Sequence, residues 1–88
     1  MSAVLLTLPV PARHVAEQIE VNVAAVRRAL GLSRASMAVA FGVARRDLEL
    51  WERGDAKPLG LAKVLLVVAS REPDAVRRTL VEMGAVRK

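Results

Sequence analysis

The chain has 88 residues, 53 % of them hydrophobic, enough for one small domain with its own core and too short for a second. Fourteen Lys and Arg, eleven of them Arg, against nine Asp and Glu leave a net charge of +5, which suits an anionic partner, nucleic acid being the commonest. With no Cys, no Tyr and a single His (His14), the chain has no disulfide framework and no thiolate metal site, and little for acid–base chemistry.

Residues 2–10 (SAVLLTLPV) carry no charge and stop at the prolines of "PVP", which block a helix. The spacing predicts a short extended N-terminal arm over residues 1–10, packed on the body or paired with the arm of another copy. The run lacks a basic n-region and is too short for a secretory signal. No uncharged apolar stretch approaches the ~18 residues needed to span a bilayer. A soluble, cytoplasmic protein with no membrane partner is expected.

Residues 11–88 read as a single domain. From Pro11 to Leu30, Val15, Ile19, Val23, Val26 and Leu30 recur at helical spacing. Pro11 suits a first turn, whereas Asn22 suits the cap of a separate, shorter helix from Val23; one helix or two remains open, and Gly31 ends either. Ser33 caps a second helix, Arg34–Phe41, before Gly42. A third runs from Arg45 to Arg53 and stops at Gly54. After the loop "GDAKP", Leu59–Ala69 is apolar nearly all round, so it must be covered on more than one side. The last helix runs from Pro73 to about Met83, with Val76, Leu80 and Met83 on one stripe. The fold class is therefore all-α, with five helices and the arm.

The segment 34–53 holds the pattern that bears on function. Ala38 lies four residues before Gly42, where steeply crossing helices need a small side chain, and Gly42 tolerates a positive φ. Met37, Phe41, Val43, Leu48 and Trp51 supply apolar contacts on both sides of a short turn. This is the pattern of a helix-turn-helix, whose second helix enters a DNA major groove. At about 100° per residue, Leu48 and Trp51 share one side of the third helix, and Arg45, Arg46, Glu49, Leu50 and Arg53 fan across the other. Guanidinium groups there match the two acceptors of guanine.

The stretch "GLSRASMAVAFGVARRDLELWERGDAKP" resembles the phage-repressor-like (XRE-type) helix-turn-helix family, in which an "LS" helix start, a Gly-Val turn and a WE-x-G-x-x-x-P ending recur. The following "LGLAKVLLVVASREPDAVRRTL" is similar to the tail of small members, including antitoxins of the HigA kind. The resemblance covers roughly residues 23 to 80 and leaves the first 20 unexplained.

The resemblance implies a repressor-like domain with the helix Arg45–Arg53 as recognition helix. Base contacts would fall to Arg45, Arg46, Glu49 and Leu50, and backbone contacts to Arg34, Ser36, Arg53 and Lys57. Arg34 stands where the family usually has Gln. Trp51 would belong to the core, and Glu52 would hold the following loop through backbone donors. Ala44 departs from the usual Ser or Thr and loses a cap worth roughly 1 kcal/mol. Glu49 either accepts from a cytosine amino group or orients Arg45 or Arg46 as an intrahelical pair. Leu50 either touches a thymine methyl or is simply exposed.

Arg27–Arg28 and Arg77–Arg78 read as solvated helix faces. His14, Glu17, Glu20 and Glu82 make no catalytic or metal site, so no enzyme and no cofactor is expected. The expected function is a transcriptional repressor that binds double-stranded DNA as a homodimer on a palindromic operator. The alternative is an antitoxin-type protein that neutralises a toxin and represses its own operon. Leu66, Val67, Val76, Leu80 and Val81 are the candidates for the dimer interface.

Overall fold

The computed structural model describes residues 19–87. They form five α-helices and no strand: α1 (Val23–Ala29), α2 (Arg34–Phe41), α3 (Arg45–Arg53), α4 (Gly60–Arg71) and α5 (Pro73–Glu82). The expected arm, residues 1–10, and the stretch from Pro11 to Gln18 with His14 and Glu17 lie outside the described residues.

Of the two readings of the first helical stretch, the described part takes the shorter helix. Asn22 is extended at φ −91°, and its side chain accepts a hydrogen bond from the Ala25 amide at 2.9 Å, satisfying one of the amides that a helix start leaves without a partner. Ser33 does the same for α2, accepting from the Ser36 amide at 3.0 Å. α2 and α3 have the expected bounds, and α4 extends one turn's fraction further, to Arg71, because no proline or glycine stops it before Glu72.

The core is built from one face of each helix. Val23 and Val26 of α1 and Leu30 at its C-terminal cap meet Met37 and Ala38 of α2, Leu48 of α3, and Leu66 and Ala69 of α4. α1 is the hub: it packs on α3 and on α4, while α2 packs on α3 and α5 on α4. Each fully buried aliphatic side chain contributes roughly 1.5–3 kcal/mol.

Four sequence expectations are corrected here. Leu66 was expected at a dimer interface but has no exposed surface, and Leu80 is also buried. Val76 packs on the core, and Val67 and Val81 are half-buried. Met83, expected on the inner stripe of α5, is exposed, since the helix ends at Glu82 and the chain turns away. Arg77 is no solvated face: its guanidinium donates to the Leu30 carbonyl at the end of α1, tying α5 to α1. Among the described residues α4 is covered by α1 and α5 and leaves Leu61, Val64, Leu65 and Val68 exposed. Among the described residues no helix is long and apolar enough to cross a membrane.

Candidate nucleic-acid interface

The site begins with the turn between α2 and α3. Gly42 takes φ 68°, the left-handed region where a Cβ is strained. Its amide donates to the Val39 carbonyl at 3.2 Å and the Val43 amide to the Ala38 carbonyl at 3.0 Å, which closes the helix end. Ala38 is buried at the crossing, and Phe41 and Val43 pack against the core from either side of the turn. The chain then enters α3 through Ala44, which is extended and offers no side-chain cap.

α3 has two sides. Leu48 is fully buried, and Trp51 rests half-buried against the same core, so this side fixes the helix. Arg45, Arg46 and Arg53 lie on the exposed remainder, with Glu49 and Leu50 half-exposed between them. Nε of Arg45 lies 3.3 Å from a Glu49 carboxylate oxygen, an i,i+4 pair that orients the arginine. Among the described residues Arg46 has no ion-pair partner. Arg53 donates from Nε to Asp55 at 3.0 Å, just past the end of the helix.

The group that fixes α3 from beside its buried face is Glu52. Its side chain is only 4 % exposed and is gripped by two arginines. Arg27 of α1 donates twice, Nε to Oε2 at 2.7 Å and Nη2 to Oε1 at 3.2 Å, the fork geometry that favours Arg over Lys. Arg34 of α2 donates from Nε to Oε1 at 3.1 Å. Nη1 of Arg27 also donates to the Leu32 carbonyl at 3.1 Å, which secures the α1–α2 corner. Burial pushes the Glu52 carboxyl up, but the hydrogen bonds and charges of Arg27 and Arg34 outweigh it and hold the group below its ordinary value. The Glu52 hydrogen bond in turn raises Arg27, against a smaller opposing effect of burial. Among the described residues no buried side-chain polar atom lacks a partner.

This arrangement revises several expectations. Glu52 holds no loop donors; it joins three helices through two guanidinium groups. Arg27, expected to be solvated, is a structural residue. Arg34 keeps its exposed stem, but its Nε belongs to Glu52 rather than to a ligand. Ser36 stays exposed at the start of α2, its hydroxyl oxygen accepting from the Ser33 hydroxyl at 3.0 Å and its own O–H left to donate. Lys57 is exposed on the loop after α3.

A signal for Glu52 existed in the sequence. It lies four residues after the buried Leu48 and next to Trp51, which puts a carboxylate on the inward edge of α3. Such a group needs a cation, and Arg27 and Arg34 are the ones the packing of α1 and α2 delivers.

Between α1 and α3 runs a shallow groove lined by Ala24, Arg28, Arg34, Glu49, Glu52 and Arg53. Residues 22–58 as a whole carry seven cations and four carboxylates, a net +3 out of the chain's +5. With Glu52 set aside together with its partners Arg27 and Arg34, five cations and three carboxylates remain on this surface, which stays net positive. It can attract a polyanion and present guanidinium groups to it. No protein-family model, no curated protein and no solved structure matches this chain.

Proposed function

We propose that the chain is a sequence-specific repressor of the helix-turn-helix kind that binds double-stranded DNA as a homodimer on a palindromic operator, with α3 as its recognition helix. One observation carries this reading: α3 is held by the fully buried Leu48 and by Glu52, while Arg45, Arg46 and Arg53 stand exposed on the rest of the same helix.

The mechanism follows from that two-sidedness. A B-DNA major groove admits one α-helix, and the N-terminal end of α3 enters first. Arg45 and Arg46 there face base edges, where a guanidinium donates to both guanine acceptors, and the Glu49 pair limits the rotamers of Arg45. Lys57, Arg28 and the terminal nitrogens of Arg34 serve the phosphate backbone. One helix reads too few bases for selective binding. A two-fold dimer doubles them on half-sites roughly 34 Å apart. The bound dimer represses by occluding a promoter. The antitoxin reading keeps this DNA surface and adds a toxin as partner.

Titrating variants on operator and on random DNA tests the assignment. Arg45→Ala and Arg46→Ala are each expected to lose about 1–3 kcal/mol of discrimination between the two, while Lys57→Ala weakens binding to both alike and lowers the salt slope by about one. Equal losses on all sequences for all three variants would contradict base readout.

A further inference from the structure

Among the described residues α4 carries an apolar stripe that no other element covers. Leu61 is 89 % exposed, and Val64, Leu65 and Val68 are 42 %, 38 % and 45 % exposed. Their spacing of i, i+3, i+4 and i+7 puts them in one line along a 12-residue helix. Leu66 and Ala69, on the opposite face, are fully buried. The only charge between Gly60 and Ser70 is Lys63, and that side chain is 6 % exposed, turned to the inward side. Scattered exposed leucines need no explanation; a continuous uncharged line does.

We infer that this stripe is a two-fold interface on which a second copy of the chain packs, α4 against α4. The inference deepens the DNA-binding reading by naming the surface its dimer uses, and it is tested without DNA.

Three observations select a second copy as the occupant. First, a chain of net charge +5 repels its own kind, so self-association needs a contact free of cations. α3 presents Arg45, Arg46 and Arg53, and α5 presents Arg78, whereas the four stripe residues of α4 carry no charge and the nearest cation, the exposed Arg71, stands at the helix's last position. Second, the stripe is self-complementary. A two-fold axis brings identical patches together, and a line of Leu and Val has no charge or donor that would need a different partner. Third, its extent fits a modest dimer. A 12-residue helix is about 18 Å long, so a single helix seam buries less than the ~800 Å² per partner of a standard interface. The expected association is weak and concentration-dependent. The loop from Gly54 to Leu59 is all that separates α3 from α4, so this axis also fixes the distance between two recognition helices.

Sedimentation equilibrium of the full chain, from micromolar to millimolar loading, reads the association directly. The chain is expected to pass from monomer to dimer in that range. Leu61→Glu and Leu65→Glu should raise the dissociation constant roughly tenfold or more with unchanged helical circular dichroism, since Leu61 is almost fully exposed among the described residues. Because the chain has no cysteine, a single substitution gives a clean second readout. Leu65→Cys, near the middle of the stripe, should form a disulfide-linked dimer on oxidation, whereas Val39→Cys, 78 % exposed on α2, should not. A monomer at all concentrations, as when residues 1–18 of the same chain cover the stripe, would overturn the inference. So would a dimer indifferent to both glutamates, or equal cross-linking at position 39. A dimer through α4 in a chain that binds no operator would leave the interface standing and remove the function.

Discussion

Glu52 has more depending on it than any other polar side chain described. Replacing it with Gln keeps the shape but strips the charge that holds Arg27 and Arg34. Arg34 is nearly half exposed, so the loss is smaller than for a fully buried pair: Glu52→Gln is expected to cost about 1–3 kcal/mol of stability in denaturant unfolding. The same group sets a pH dependence. Its carboxyl is lowered in the folded chain, so the stabilisation is present above the unfolded value of about 4.3 and disappears as pH falls through the folded one. Wild-type stability should therefore drop steeply below about pH 4.5, and the drop should be shallower in Glu52→Gln. Much at this level was legible in advance. The buried Leu48, the exposed Arg45 and Arg46, and the Arg45–Glu49 pair all follow from spacing on one helix. What was not legible is which surface cation meets Glu52, because that depends on how α1 and α2 pack, and those contacts span 25 and 18 residues of chain.

The helices themselves were read closely because their ends carry local chemistry. Ser33, Gly42 and Gly54 bound α2 and α3 by capping alone, and α5 begins where Pro73 fits a first turn. Asn22 left a genuine choice, since a polar residue with a helical pattern on both sides is either a cap or an interior residue. Two changes test the capping account by thermal unfolding. Ala44→Ser supplies the cap that α3 lacks and should add about 1 kcal/mol, raising the midpoint by roughly 4–8 °C. Gly42→Ala should cost about 1 kcal/mol purely through the backbone, because a Cβ there would touch nothing within 4 Å. A neutral Gly42→Ala would mean the turn relaxes out of its left-handed conformation. The inward face of α4 is the feature least legible in the sequence. A helix apolar all round has no preferred inward face in its own sequence, so Leu66 and Val67 looked as free as Leu61 and Leu65. The phase is set by packing on α1 and α5, which turns Leu66 and Ala69 into the core and buries Lys63, the residue a solvated face would ordinarily claim.

Taken together, the five helices divide the molecule's surface by charge. The α1–α3 side gathers most of the net positive charge and α4 carries the exposed apolar stripe, so the surface proposed for DNA and the surface proposed for a second copy are different ones. The cationic character was legible from composition. Its orientation outward was not, since it requires Leu48 to be buried and Glu52 to be paired. DNA binding of this kind releases counterions, so affinity should fall steeply and linearly in log–log form with added salt. The account is decided by selecting bound duplexes from a random pool with the full chain and measuring the winner's affinity against salt, for wild type and for the Arg45→Ala, Arg46→Ala double variant. A palindromic winner, a steep salt slope, and a double variant that binds winner and random DNA equally well are the predicted results. A pool that never enriches, or a double variant that still prefers the winner as strongly as wild type does, would contradict it.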